Sequence, residues 1–280
     1  MFTNKLYIYL YARIEFLNMK SILLLDGDES FGFRFAKDFS DKYKIHLLFP
    51  RSGIENYLES IMALPDNFDY IINNFNVPFY SSNVAYMNMI DKIQELINSR
   101  LKNGKKILIS NQMVYASSPE PKTEEHITVP ETKYGKIMLN TEELMKDNEH
   151  YIIIRSGMIY GKCTYNIYTD ILTAIRGNIS LKLDNRVTLN PVLNSDISMV
   201  VEMAMDDIDR DTINVGGDDA MTLYQFGRHL YDSVREDKCP FIKIENSSVL
   251  NYSMDSCRAR KMYKIKFTGL EDIDFLNFMR

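Results

Sequence analysis

One stretch, residues 105–144, constrains the fold of this chain more than any other. Its first part is an apolar, branched run over residues 106–110, which predicts a buried strand. A polar loop rich in proline, serine and glutamate follows, and residues 137–145 predict a helix. A buried strand, a long loop and a helix are how an open α/β sheet presents chemistry at the carboxyl ends of its strands. Tyr134, at the start of the helix, is therefore the first candidate for a functional residue.

The rest of the chain repeats this alternation of strands and helices. Buried strands are predicted at residues 21–25, 44–49, 68–74, 151–155 and 187–190. Helices are predicted at residues 33–39, 54–62, 84–101, 167–176 and 197–205, the last with Asp196 as its N-cap. The pattern indicates an α/β fold, a Rossmann-type doubly wound parallel sheet with a small C-terminal α/β lobe.

Composition limits the classes of function that the chain can have. Its 280 residues are 45% hydrophobic and 25% charged, which is typical of a globular protein. A net charge of −5 and the lack of a long basic run argue against nucleic acid as a partner. The cysteines, Cys163, Cys239 and Cys257, are far apart, so we expect neither disulfides nor a metal site, and a cytoplasmic location. The apolar run at residues 6–11 is too short to span a bilayer, so no membrane partner is expected.

The turn after the first strand could bind a dinucleotide. Gly27, Ser30 and Gly32 lie between a strand and a helix, which is the context that a dinucleotide fingerprint requires. Glycines there allow a pyrophosphate to approach the helix N-terminus. Asp28 and Glu29 in the same loop would repel a pyrophosphate at close range. An ordinary strand–helix turn is the alternative interpretation.

Several short segments of the sequence together resemble the extended short-chain dehydrogenase/reductase family in its sugar-nucleotide branch. The resemblance is closest to the dTDP-4-dehydrorhamnose reductases and the related regulatory beta subunit of methionine adenosyltransferase. It covers residues 19–280 and is carried by residues 68–74, 105–145, 155–161, 191–196, 212–217 and 252–258. It implies a dinucleotide-binding Rossmann domain over residues 19–160. It also implies that residues 161–280 are mainly a substrate lobe, with segments that return to the Rossmann domain. Residues 1–18 are expected to be an extension that is not native or is poorly ordered.

The catalytic motif of that family is only partly present. In the family, a tyrosine donates the proton, a lysine four residues later lowers the tyrosine pKa and binds the nicotinamide ribose, and a serine or threonine follows a strand. Here Tyr134 matches the tyrosine, Met138 stands at the lysine position, and Asn111 stands at the serine/threonine position with Ser110 before it. Lys136 is rotated about 200° from Tyr134 on a helix and should point away from the site. Met138 cannot carry charge, and Asn111 can hold a substrate oxygen without relaying a proton. A structural role for Tyr134 at the helix start is the alternative.

The resemblance implies NADP or NAD as cofactor and a nucleotide-linked 4-keto-6-deoxy sugar as substrate. Arg51, after the second strand, favours NADP because an arginine there accommodates the 2′-phosphate; a solvated arginine is the alternative. The expected cofactor-binding residues are Gly27, Ser30, Phe31, Gly32, Arg51, Asn73, Ser110 and Met138. The expected substrate cleft contains Tyr134, Asn111, Val77 and Asn166. We expect a reductase-like protein with weakened or altered catalysis, acting alone, as a homodimer or with a partner enzyme. A non-catalytic dinucleotide-binding or partner-binding regulatory protein is the alternative.

Overall fold

A computed structural model describes the fold over residues 19–26, 31–50, 54–75, 89–162, 167–207, 209–245 and 249–275. Its strands are β1 (Ser21–Asp26), β2 (Lys44–Leu48), β3 (Tyr70–Asn74), β4 (Lys105–Asn111), β5 (Tyr151–Ser156), β6 (Met158–Tyr160), β7 (Lys182–Asp184), β8 (Val187–Leu189), β9 (Pro191–Leu193), β10 (Asp211–Val215), β11 (Met221–Thr222), β12 (Ile242–Ile244) and β13 (Leu250–Asn251). The α-helices are α1 (Gly32–Phe39), α2 (Ile54–Met62), α3 (Ile90–Arg100), α4 (Lys133–Lys146), α5 (Ile167–Gly177), α6 (Asn194–Asp207), α7 (Leu223–Asp232) and α8 (Cys257–Tyr263). Each helix in these ranges is too short or too polar to cross a membrane.

Six of the strands form one parallel sheet in the order β2-β1-β3-β4-β5-β10. The central strands β1, β3, β4 and β5 are buried on both faces because helices cover both sides of a parallel sheet, whereas Lys44 and His46 of the edge strand β2 are exposed. The chain leaves β1 toward β2 on one side and reaches β3 on the other, so the sheet has its topological switch point between β1 and β3. Asp26 ends β1 and pairs in register with Asn74, which ends β3. These two residues therefore mark the edge where an α/β sheet binds its ligand.

The two faces of the sheet carry separate cores, which confirms the doubly wound α/β fold. One core contains Ile22 and Leu24 of β1 with Phe35 of α1 and Val200 of α6. The other contains Leu23 and Leu25 with Tyr57 of α2, Ile93 of α3 and Met138 of α4. The side chains of β1 alternate between the two cores, as the two-residue period of a strand requires. Burying each large apolar side chain in this way contributes roughly 1.5–3 kcal/mol.

A third core lies in the C-terminal lobe. It joins β7, α5, α7 and the end of β6 through buried residues that include Tyr160, Tyr168, Leu183 and Phe226. The phenyl ring of Phe226 lies edge-on to the ring of Tyr160, at 5.1 Å between centroids. The lobe is thus built around its own aromatic cluster, while α6 and β10 pack on or within the main sheet.

Helix α6 corrects one prediction. It begins at Asn194, so Asp196 lies inside its first turn and is not the N-cap. The buried Asp196 carboxylate accepts hydrogen bonds from the amide of Thr268, at 2.6 Å, and from its hydroxyl, at 3.0 Å. The predicted cap instead holds the C-terminal segment against the sheet, because a partner 72 residues away supplies both donors.

Candidate functional site

Tyr134 lies in the first turn of α4, and two local features place it there. The Thr132 hydroxyl accepts a hydrogen bond from the Gly135 amide at 2.9 Å and so caps the helix. Gly135 then packs closely on the turn after β4, where a Cβ atom would lie only 2.1 Å from the carbonyl oxygen of Met113. No residue other than glycine fits this approach, which brings Tyr134 next to the end of β4.

Tyr134 is almost closed off from solvent. Its exposed fraction is 8%, and it belongs to a buried cluster that joins the sheet to the lobe. Other members of that cluster are Met113, Tyr115, Met138, Leu189, Tyr252 and Met254. Met138, one helical turn after Tyr134, is 1% exposed, whereas Lys136 is exposed, as the helical rotation predicts. The helix face of Tyr134 therefore presents a buried thioether at the position where the family has lysine.

Asn111 sits at the carboxyl end of β4 and shapes the turn that follows. Its side-chain oxygen accepts a hydrogen bond from the Met113 amide at 2.9 Å and caps a short 3-10 helix, Gln112–Val114. The buried Gln112 accepts a hydrogen bond from the Asn190 amide at 3.3 Å, which ties this turn to the segment between β8 and β9. The asparagine thus has a structural task in the turn beside Tyr134.

Ser110 points away from solvent into a buried polar network. Its hydroxyl donates a hydrogen bond to Glu142 of α4 at 2.5 Å. Glu142 also accepts two close hydrogen bonds from Arg155, from Nε at 3.0 Å and from Nη2 at 2.7 Å. Arg155 Nη1 donates to the Tyr115 hydroxyl at 2.7 Å, and that hydroxyl donates to Asn214 at 3.0 Å. The network links α4, β4, β5 and β10 beneath the predicted active-site helix.

Charge balance explains how this network can be buried. The Glu142 side chain is fully buried and that of Arg155 is 7% exposed, so each neutralises the other away from water. Burial raises the pKa of Tyr115, and the nearby Arg155 cation offsets that rise only in part. Tyr115 therefore stays a neutral hydrogen-bonding partner at physiological pH.

Two other predicted cofactor-binding residues turn into the interior. The Phe31 ring is fully buried and lies 5.2 Å from the ring of Phe35, between centroids. Asn73 is 1% exposed. It donates a hydrogen bond to Gln94 of α3 at 2.9 Å and accepts one from the Phe75 amide at 2.9 Å. Both ends of the Asn73 amide are therefore used within the fold.

The switch point of the sheet carries a buried carboxylate that sequence reasoning did not single out. Asp26 is fully buried. One carboxylate oxygen accepts a hydrogen bond from the Gly32 amide, the first of α1, at 2.6 Å. The other accepts from the Asn74 side-chain amide at 2.6 Å. An acidic residue that ends an otherwise apolar strand was the signal that could have identified this contact.

Tyr57 adds a second buried polar group near the switch point. It is 2% exposed, and its ring stacks on Phe75 at 5.3 Å between centroids. Its hydroxyl has no hydrogen-bond partner among the residues that the structure describes. Burial, and secondarily the charge on Asp26, raises the pKa of Tyr57 well above its ordinary value. A neutral hydroxyl thus lies within electrostatic reach of the Asp26 carboxylate.

Tyr134 and Met138 lie in one cluster with Met113, whose amide binds Asn111 at the end of β4, whereas Ser110 contacts α4 two turns further along, at Glu142. Gly32 and Phe31 lie at the separate turn after β1. The remaining predicted site residues lie outside the described ranges; they are Gly27, Ser30, Arg51, Val77 and Asn166. The described ranges also hold a pocket of about 530 Å³ against α8, lined by Glu124, Arg258 and Lys261 among others, on a different part of the surface.

A model of the family described as "RmlD substrate binding domain" matches residues 98–260, which is more than half of the chain. No curated protein matches the sequence.

Solved structures share the fold at low sequence identity. A dTDP-4-dehydrorhamnose reductase from Clostridium acetobutylicum is 15% identical, with a TM-score of 0.72 over 92% of this chain and 99% of that chain. The dTDP-4-dehydrorhamnose reductase from Bacillus anthracis, in complex with NADP, is 14% identical, with a TM-score of 0.72 over 93% and 98%. The dTDP-glucose 4,6-dehydratase from Bacillus anthracis, in complex with NAD, is 16% identical, with a TM-score of 0.72 over 93% and 95%.

Proposed function

The chain belongs to the RmlD substrate-binding-domain family, and we propose that it binds a nucleotide-linked sugar without reducing it efficiently. A nucleotide-linked 4-keto-6-deoxy sugar is the proposed ligand class, because dTDP-4-dehydrorhamnose reductases are among the structural relatives. The observation that carries the proposal is Met138, an apolar residue, 1% exposed, on the helix face of Tyr134. The tyrosine is retained, and the charged partner on which its acid chemistry depends in the family is replaced.

The expected loss of turnover follows from what a cation does for a tyrosine acid. A lysine one turn away stabilises the ionised form that the tyrosine takes after it gives up its proton. A thioether offers no such stabilisation, and Asn111 is occupied in capping the turn. General acid catalysis contributes typically about 10²–10⁴ in rate, so a loss of that order is expected here.

The cofactor end of the site supports binding over hydride transfer. Relatives of this fold are solved with NAD or NADP, so a dinucleotide is the first cofactor to test. The predicted preference for NADP depends on Arg51. The described part of the first strand–helix turn does not fit a dinucleotide, because the Asp26 carboxylate already accepts a hydrogen bond from the Gly32 amide. That amide is the group that would face a pyrophosphate at the start of α1.

Titration calorimetry with dTDP-linked and UDP-linked sugars, including a 4-keto-6-deoxy sugar, tests the proposal. Free dTDP and UDP serve as controls for the nucleotide half. We expect saturable binding of a sugar nucleotide and, with NADPH or NADH added, no ketosugar reduction comparable to that of a reductase with an intact Tyr-x-x-x-Lys motif. Absence of binding by every sugar nucleotide would refute the ligand class, and fast reduction would refute the loss of turnover.

The Met138→Lys variant tests the carrying observation directly, with Met138→Leu as a matched uncharged control. If reduction is limited by the missing cation, the lysine variant should gain residual activity and the leucine variant should not. Adding Asn111→Thr should increase the gain. If both variants bind dinucleotide and have equal reductase activity, the missing cation at residue 138 is not what limits reduction.

A further inference from the structure

The first strand–helix turn carries its own anion at the point where a dinucleotide fold binds pyrophosphate. Asp26 is fully buried at the end of β1, next to the switch point of the sheet. Its two oxygens accept hydrogen bonds from Gly32 and Asn74, both at 2.6 Å. The Gly32 amide opens α1, and helix N-termini attract anions through such amides and through the helix dipole. An internal carboxylate therefore already satisfies this helix start.

The packing of Gly32 supports its place as the last glycine of the family fingerprint. A Cβ atom on Gly32 would lie 2.7 Å from a methyl carbon of Leu47 and 3.0 Å from one of Leu24. Close helix–strand packing of this kind is the task of the last glycine in a dinucleotide fingerprint. Counting back from Gly32 through the pattern Gly-x-x-Gly-x-x-Gly puts Glu29 and Asp26 at the other two glycine positions. Two acidic residues thus stand where the pattern needs glycine for the approach of a pyrophosphate.

We propose that the Asp26 carboxylate takes the place of the cofactor pyrophosphate, so that this chain does not hold NAD or NADP in the manner of its fold family. A carboxylate about 4 Å from a phosphate, at the effective dielectric constant of a protein surface, weakens binding on the order of a thousandfold. The ligand would also have to compete for the Gly32 amide with a carboxylate that Asn74 holds in place. This inference concerns the cofactor end alone and does not require the nucleotide sugar to bind.

The Gly32 amide is a reporter in the unmodified protein. We would assign its resonance in a ¹H–¹⁵N spectrum and titrate the protein with NADPH, NADH and ADP-ribose up to millimolar concentration. The expected result is no shift of the Gly32 resonance and no heat in parallel calorimetry. A saturable shift at micromolar ligand would overturn the proposal. A sugar nucleotide titrated in the same way tests the proposed function separately, because its outcome does not depend on Gly32.

The gain-of-binding variant is Asp26→Gly with Glu29→Gly. We expect NADPH to bind it at least about a hundredfold more tightly than it binds the native chain, as removal of the Asp26 charge from the start of α1 implies. The control is Asp38→Asn, which removes a negative charge from the same helix at a side chain that pairs with Arg34. It should leave NADPH binding unchanged.

Circular dichroism and thermal unfolding establish that each variant is folded. A folded double-glycine variant that binds NADPH no better than the native chain would overturn the proposal. If that variant does not fold, Asp26→Asn keeps the size of the side chain and a hydrogen-bonding oxygen for Gly32. It should show a smaller but measurable gain in affinity, and absence of any gain would again overturn the proposal.

Discussion

The buried ion pair beneath α4 gives the sharpest stability prediction, with Glu142→Gln as the perturbation. The substitution keeps the size of a side chain that is fully buried and removes its charge. Arg155, 7% exposed, would then be a buried cation without a counter-charge, and Ser110 would lose a charged acceptor. Removal of one partner from a buried pair costs about 3–5 kcal/mol, because the remaining charge stays uncompensated.

Urea unfolding followed by circular dichroism measures this change, since the chain has no tryptophan for fluorescence. We expect the unfolding free energy to fall by about 3–5 kcal/mol, which for a protein of this size lowers Tm by roughly 6–20 °C. The slope of the unfolding free energy with urea should not change, because the surface exposed on unfolding is the same.

The exposed pair Arg228–Asp232, 2.8 Å apart and half-exposed on both sides, supplies the matched control. Asp232→Asn should cost less than about 0.5 kcal/mol, because solvent screens an exposed pair. The double variant Glu142→Leu with Arg155→Met should be less destabilised than Glu142→Gln, since it leaves no buried charge. A Glu142→Gln effect no larger than that of Asp232→Asn would refute the reasoning.

Three further outcomes can be measured. Gly135→Ala should lower the unfolding free energy by about 1–3 kcal/mol, because its Cβ would overlap the Met113 carbonyl in the turn after β4. Gly269→Ala, whose Cβ would meet nothing closer than 3.5 Å, should change the unfolding free energy by less than about 0.5 kcal/mol. Tyr57→Phe should stabilise the protein by roughly 1 kcal/mol, because it removes a buried hydroxyl without a described partner; a loss of stability would contradict this. Burial raises the pKa of Asp184, but Arg186 outweighs it and leaves that pKa below its ordinary 3.8. Ionised Asp184 therefore contributes fully to the unfolding free energy above about pH 4, and this contribution is lost as pH falls through the lowered pKa. As the pH is lowered, the unfolding free energy of Asp184→Asn should therefore fall less than that of the native chain.

Hydrophobic periodicity was enough to predict the main elements, because they depend on local residue type. The strand predicted at residues 21–25 is β1, Ser21–Asp26, and the helix predicted at residues 54–62 is α2, Ile54–Met62. Residues 137–145 were predicted as helix with Tyr134 near its start, and α4 spans Lys133–Lys146, a full turn before residue 137. The Thr132 cap and the glycine that follows support the extra turn, and both act through contacts with neighbouring loops.

The buried polar residues could not be predicted, because their partners are distant in sequence. From its sequence context, Glu142 would be a solvent-exposed charge on a helix, but in the structure Arg155 of β5 lies beneath it and both are buried. Asp196 reads as a helix cap until Thr268 reaches it from 72 residues away. Asp26 likewise needs Asn74, which is 48 residues later and becomes its neighbour only through strand pairing. Residue type showed that these positions were polar, but only tertiary structure shows what each one binds.

Under both proposals, the two ends of the predicted site differ from the family pattern in the same way. At α4, Met138 stands at the position where the family has lysine. Its side chain is 1% exposed and packs in a buried apolar cluster. At β1, the count back from Gly32 puts Asp26 at a glycine position, and the Asp26 carboxylate accepts hydrogen bonds from Gly32 and Asn74 within the fold. Under these proposals, a residue that would contact the cofactor is replaced in both places by one that contacts the interior of the protein. The Glu142–Arg155 pair needs no ligand, and it keeps α4 on the sheet in the absence of one. This pair therefore stabilises the scaffold through contacts within the fold alone.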